Sequence, residues 1–506
     1  MEKNGTVDLM RLQRMARWIN MKKFGFLLIV ALVAVSAVAE SLPEKFKGMS
    51  RQSFSSQMKL EKEKMKYEAP WAISYDIEGY IDGYVVTGDI EYLEMAIKLA
   101  DKLYSVRADQ LGIKDWKGRL RPGWLSAERY GVTGPLIVKD QNGNPVLEIY
   151  STMLAYNQFT TVDLDVNPDG KTFSIVMHND KTKENAHRRT WNNLTMQTAE
   201  ETINNQVGRT ALKVKKIGDT MPLSVKGGIP PLAMFVMHGH HTGKTLLPFL
   251  RLAMIINNTP ELKARYGDSA AKYLKCAEEA YADMEPDWRE HPDGGYVIFE
   301  KGMPFWCDGL IEPNNTLAYT GLAYLYLYQA TGKKHYLERV TKLASFMHKE
   351  LEPRPDGTLD YYYWPRLCRR GWDQSFGCTY TPAYQMPLYP EDGGHLQASL
   401  RFFIECCRNN IVFTKSDLER FAKTFHARIY QGKGPKFFSD LFDGSMEDNT
   451  KHQDWMEGWA EFYDIDQSIP EIIKTVFADK KSGSMSSKMA VYGVLMRADQ
   501  YRNQKK

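Results

Sequence analysis

Apolar and aromatic residues recur at helical spacing along most of this chain. Over residues 68–106 the positions Tyr80, Tyr84, Leu93, Ile97 and Leu103 fall three to four residues apart or multiples of that. This is the period of a helix that buries one face, and the segment reads as a first helical hairpin. The same period marks further hairpins at about 231–284, 313–351, 391–430 and 450–501. Between 131 and 180 the pattern changes to strict alternation. Pro135 to Tyr150 predicts two strands around Asn142-Gly143, and Thr161 to Met177 two more around Asn167-Pro168-Asp169-Gly170. Residues 178–195 are polar and read as a loop, and helical spacing returns near Met196.

Two of the hairpins repeat each other. Tyr84, Thr87, Gly88, Tyr92, Leu93, Glu94, Lys98, Leu99 and Ala100 recur 244 residues later as Tyr328, Thr331, Gly332, Tyr336, Leu337, Glu338, Lys342, Leu343 and Ala344. A helical hairpin repeated at a fixed offset needs neighbours to bury its apolar face. The expected fold class is therefore mainly α: an α/α toroid (barrel) of helical hairpins with a small β-hairpin insertion at about 131–180. The connectors at 285–312 and 352–390 are long and rich in Gly, Pro and aromatic residues, which marks them as candidate functional loops.

Charge and the amino terminus narrow the function. Met21 to Ala39 reads as a secretory signal peptide, with Lys22 and Lys23 before an apolar run and an Ala37-Val38-Ala39 cleavage site. The apolar run is shorter than the roughly 20 residues of a membrane span, so no stable membrane insertion is expected. Residues 1–39 are read as leader and 40–506 as a single toroid domain, secreted to the bacterial periplasm. The leader holds six of the 66 Lys and Arg residues and two of the 62 Asp and Glu residues, so the remainder is charge-balanced. A balanced chain without a basic block gives no reason to expect a nucleic acid partner. Six Cys in 506 residues do not form a disulfide framework, although Cys368 and Cys378 are spaced for one bridge.

The candidate chemistry lies in the loops. Aromatic faces stack on sugar rings and guanidinium groups grip carboxylates at two points, so Trp124, Arg189, Trp364, Arg366, Arg370 and Tyr380 are the expected substrate-binding residues. His238, His240 and His241 sit just before a predicted helix, where an imidazole can carry protons near neutral pH. The triplet lacks an acidic partner at helical spacing, so no metal is expected there. Arg289, His291 and Tyr296 surround a Gly-Gly turn, and Arg289 is placed to lower the Tyr296 pKa from its usual value of about 10. Asn205 reads either as a helix cap or as an amide for a substrate carboxylate, and His395 within Glu391-Asp392-Gly393-Gly394-His395 either as part of a cap or as a cleft residue.

The hairpin Tyr326 to Met347, the segment Met237 to Lys244 and the helix start Glu391 to Gln397 resemble the α/α-toroid polysaccharide lyases of bacterial periplasms, the nearest being family 38, whose members act on alginate or glucuronan. The resemblance implies cofactor-free, metal-independent β-elimination of an anionic uronate polymer. It assigns catalysis to His241 and Tyr296, with Arg289, Asn205 and His395 in support. A toroid glycoside hydrolase is the alternative, drawing its two carboxylates from Asp76, Glu78, Asp308, Glu312, Glu391 and Asp392. A non-catalytic periplasmic glycan-binding protein is a second alternative. A sugar epimerase shares the architecture, but the leader argues against it.

Overall fold

The computed structural model describes residues 41–66, 69–125, 133–152, 156–179, 187–204, 212–228, 239–303, 309–369, 389–432, 437–446, 454–479 and 483–505. Asn205, Arg370, Tyr380, His238, Asp308, Cys378 and the signal segment lie outside them. Backbone contacts divide the chain between Gly48 and Met49. The described part of the first unit opens helix α1 (Leu42–Lys59), where Ser41 shares two hydrogen bonds with Glu44.

In the second unit the helices form pairs. They are α2 (Ala69–Thr87) with α3 (Ile90–Tyr104), α4 (Gly239–Asn258) with α5 (Pro260–Met284), and α6 (Asn314–Thr331) with α7 (Lys334–His348). After these come α8 (Gly393–Arg408) with α9 (Lys415–Thr424), then α10 (Glu457–Ala460), α11 (Ser468–Asp479) and α12 (Met485–Gln504). The even-numbered helices contact one another in the order α2, α4, α6, α8, α10, α12 and back to α2. That order closes an inner ring, the α/α toroid that the hairpin repeat predicts. Helices α4, α6 and α12 are buried on nearly all sides, whereas α3, α7 and α9 bury one stripe and face outward.

The repeat explains why the inner helices share a direction. Gly88 and Gly332 both end their helices at φ +70°, and each N–H donates to the carbonyl of Tyr84 or Tyr328. Thr87 and Thr331 then accept the N–H groups of Asp89 and Lys333 in the same geometry. Each inner helix thus hands the chain to an outer helix at one end of the ring. Their N-termini gather at the opposite end, which forms the mouth.

Close approach sets the ring's tightness. A Cβ on Gly79 of α2 would lie 2.7 Å from the Met489 carbonyl oxygen of α12, and one on Gly321 of α6 would lie 2.4 Å from the Phe402 ring of α8. Below the mouth, charged pairs fill the ring. Arg401 of α8 donates to Glu78 of α2 at 2.5 and 3.2 Å. Arg251 pairs with Asp82, and Arg497 with Glu461.

The alternating segment is larger than the sequence predicts. Strands β1 (Leu136–Lys139), β2 (Pro145–Ser151) and β6 (Leu212–Lys216) form one antiparallel sheet in the order β1-β2-β6. Strands β3 (Thr160–Val166), β4 (Phe173–Asn179), β5 (His187–Leu194) and β7 (Val225–Gly228) form another, ordered β5-β4-β3-β7. One apolar cluster draws on both sheets, from Val138 to Val214. The predicted turns at Asn142-Gly143 and Asn167–Gly170 are present, with Gly143 at φ +82° and Gly170 at φ +61°. The expected loop at 178–195 contains β5, which turns Trp191 and Leu194 into the cluster while its other residues stay polar. The return of helix near Met196 is present as Ala199–Asn204, and the next described ring helix is α4. The hairpin expected at 450–501 is three helices rather than two.

Candidate active site

Five of the inner helices bring side chains together at the mouth. Trp71 comes from the first turn of α2, His240 and His241 from that of α4, and Asn315, Thr316 and Tyr319 from α6. Asp392 and His395 open α8, and Glu457 opens α10. Trp71 stacks on His240 at 4.0 Å between ring centres and lies 5.0 Å from His241. His395 faces His240 across 6.0 Å and meets the edge of Tyr363 at 5.2 Å.

The two facing imidazoles are held differently. Asp392 caps α8: its Oδ1 accepts the N–H groups of Gly394 and His395 at 3.0 and 2.9 Å. Its Oδ2 holds His395 Nδ1, so the carboxylate fixes the proton on that nitrogen and leaves the lone pair on Nε2. His240 Nδ1 receives the Asn315 amide N–H at 3.0 Å and lies 3.3 Å from Thr316 Oγ1. With the Asn315 amide nitrogen turned to His240, Nδ1 accepts and the ring proton sits on Nε2. One ring is set as a proton acceptor and its neighbour as a proton donor. His395 is 37% exposed at its side chain, whereas His240 is buried.

Buried acids surround this pair. Glu312 accepts the Gly239 N–H at 3.0 Å, and burial pushes its pKa up to about 8. A Cβ on residue 239 would lie 2.6 Å from Glu312 Oε2, so the approach of α4 to this acid needs glycine. Glu391 is fully enclosed; burial and then the adjacent Asp392 hold it well above the usual carboxylate range. Lys244 of α4 is fully buried with Nζ 3.0 Å above the Tyr75 ring, and burial lowers its pKa to about 7 against the pull of Glu78 and Glu457. Clusters of displaced pKa values of this kind concentrate at functional sites.

The sequence-based candidates divide. His395 stands in the mouth. His241 does too, but of the two described members of the triplet it is His240 that faces His395. Tyr296 belongs to the hairpin of β8 (Trp288–His291) and β9 (Gly294–Val297), where its ring packs 5.0 Å from Phe346 of outer helix α7. The reason is that the apolar stripe of α7 needs a cover, and β9 supplies it. Burial pushes the Tyr296 pKa up to about 12, outweighing the lowering by Arg289, so the expected activation is reversed. Arg289 donates to the carbonyls of Pro286 and Trp288 at 2.7 and 2.8 Å.

Trp124 is a core residue rather than a sugar platform: it is fully enclosed, and its indole N–H donates to the Leu103 carbonyl at 2.9 Å. Arg366 grips the end of α7 through the Lys349 carbonyl and pairs with Glu352. Arg189 belongs to β5, opposite Met177 of β4. Trp364 is buried and stands edge-on to Tyr363 at 5.3 Å, one ring removed from His395. Of the hydrolase acids, Asp76 accepts hydrogen bonds from Ser53, Gln57 and Ser486, and Glu78 is paired with Arg401. Cys368 is buried. Trp71, Asn315, Tyr319, Lys244, Tyr363 and Glu457 were not singled out from sequence. Their shared signal, except for Tyr363, is position in the first two turns of alternate helices.

No family model matches the chain, and no curated protein matches it. Solved structures do. One is an inactive variant of an α-1,6-mannanase from a Salegentibacter species in complex with α-1,6-mannotriose, at 10% identity and TM-score 0.37 over 85% of this chain and 89% of that one. A second is a family 76 glycoside hydrolase from a bovine Bacteroides thetaiotaomicron strain, at 10% identity and TM-score 0.32 over 74% of this chain and 99% of that one. A third is a sugar epimerase from a ruminal bacterium, at 12% identity and TM-score 0.34 over 53% of this chain and 73% of that one. Likeness at this level says nothing of the reaction.

Proposed function

We propose that the protein is a carbohydrate-active enzyme that cleaves a glycosidic chain by acid–base catalysis at the mouth of the ring. The carrying observation is the pair of imidazoles with opposite proton placement, His395 set to accept on Nε2 and His240 set to donate from Nε2, 6.0 Å apart between ring centres. Trp71 beside them supplies an aromatic surface for a sugar ring. Hydrolysis is the first reading. His395 takes a proton from water as it attacks the anomeric carbon, and His240 protonates the departing oxygen. Asp392 orients His395 and stabilises the imidazolium that forms.

β-Elimination from a uronate is the second reading, favoured by Lys244, a buried cation one turn along α4 from His240 and His241 whose charge can act on a substrate carboxylate there. The same two histidines would then take the proton beside the carboxylate and protonate the leaving oxygen. Products separate the readings. Incubation with mannan, alginate, glucuronan and pectate should release new reducing ends. Ultraviolet absorbance of an unsaturated uronate identifies elimination, and its absence identifies hydrolysis. No cleavage of any glycan in such a panel would count against both.

Export is part of the proposal, read from Met21–Ala39. Amino-terminal sequencing of protein from an exporting host should begin at Glu40, and an intact leader on the recovered protein would contradict export.

A further inference from the structure

The acid–base reading leaves Glu391 without a task. It is fully buried, and neither of its side-chain oxygens has a well-formed hydrogen bond, the adjacent Asp392 N–H only weakly favouring its charge. A bare carboxyl group in a closed site is destabilising unless something satisfies it. The group is not isolated: one oxygen of Glu391, one of Asp392 and one ring nitrogen of His395 lie within 4.8 Å of one another.

We propose that Glu391, Asp392 and His395 form a binding site for one divalent transition cation such as Zn²⁺ or Mn²⁺. Two carboxylates and one imidazole are a mixed oxygen and nitrogen donor set of the kind these ions accept, with positions left for water or substrate. Metal–ligand bonds of about 2.0–2.2 Å hold two donors no more than about 4.4 Å apart, so small side-chain rotations that also part Asp392 from His395 would bring the three donors onto one ion. Asp392 Oδ1 is already held by two backbone N–H groups, so Oδ2 is the oxygen that turns to the ion. Those same bonds fix the carboxylate as a second shell fixes a ligand. The helix N-terminus of α8 disfavours a cation, and two carboxylates in contact outweigh the roughly half-charge of that end. On the acid–base reading, the ion competes with Asp392 for His395 Nδ1. With the ion on that nitrogen the ring proton sits on Nε2, and His395 donates instead of accepting.

Binding is measured directly, without reference to activity. Chelator-stripped full-length protein is titrated calorimetrically with Zn²⁺ and Mn²⁺, and Mn²⁺ loading is followed by electron paramagnetic resonance. The expected result is one ion per chain, with Glu391→Gln and His395→Ala each weakening it at least about tenfold. Circular dichroism and the unfolding midpoint establish that each variant is folded. Absence of binding to the wild-type protein overturns the proposal, as does equal binding by a folded Glu391→Gln variant. Either result leaves the catalytic reading standing, because that reading is judged by glycan cleavage.

Discussion

Glu312 shows how one residue's surroundings set a measurable property. Its folded pKa of about 8 lies above the ordinary value of 4.5, because burial disfavours the charge more than the Gly239 N–H favours it. The folded chain therefore holds more protons than the unfolded chain between these values, and stability falls as pH rises through the window. Glu312→Gln keeps an oxygen for Gly239 and removes the ionisation. The variant should match wild type at pH 4.5 and gain on it with rising pH, by up to about 1.4 kcal/mol per pH unit, in urea unfolding across that range. A constant difference at every pH would contradict this account. Tyr296→Phe makes a second residue-scale test. Because this ring packs on α7, its loss of a hydroxyl should leave turnover within about twofold of wild type, whereas a collapse of turnover in a folded variant would assign it to the active site. Sequence spacing placed Tyr296 and Arg289 together correctly, since they are partners across β8 and β9. It carried no information on which way the hairpin faces, because that is set by Phe346, some fifty residues later.

At the scale of elements, helices were legible wherever their period was strong. The hairpins beginning near 68, 313 and 391 stand in the structure within a few residues, and the described part of the one expected from about 231 is α4 and α5. Thr87-Gly88 and Thr331-Gly332 announced two turns that share backbone geometry. The β region was legible only in part. Strand β5 hides its alternation because Arg188, Arg189, Asn192 and Asn193 dominate its composition, and Asn193 sits at φ +56° where the register shifts. The mouth was illegible for a similar reason: Trp71, His240, Asn315 and His395 lie on four helices and meet only when the ring closes. Closure depends on glycine. Gly79→Ala sets a methyl against the Met489 carbonyl of α12, where no flexible side chain can yield. It should lower stability by about 1–3 kcal/mol, read from the urea midpoint. An unchanged midpoint would mean that α2 and α12 are less tightly apposed.

At the scale of the whole molecule, the ring is tied across its middle by buried ion pairs. Glu78 and Arg401 are 323 residues apart in sequence, on helices that face each other across the ring. Arg401→Met leaves Glu78 buried without its partner and should cost about 3–5 kcal/mol in unfolding measurements, far more than an exposed pair. These pairs fill the ring below the mouth, which leaves the N-terminal end of the inner helices as the place where polar, perturbed and aromatic groups meet. The central claim is that His395 carries the proton there. Its most direct test is turnover of His395→Ala on the glycan that wild type cleaves, with the folded state verified by circular dichroism. The account predicts a loss in kcat of about 10²–10⁴-fold with the unfolding midpoint close to wild type. Turnover equal to wild type in the folded variant would contradict it.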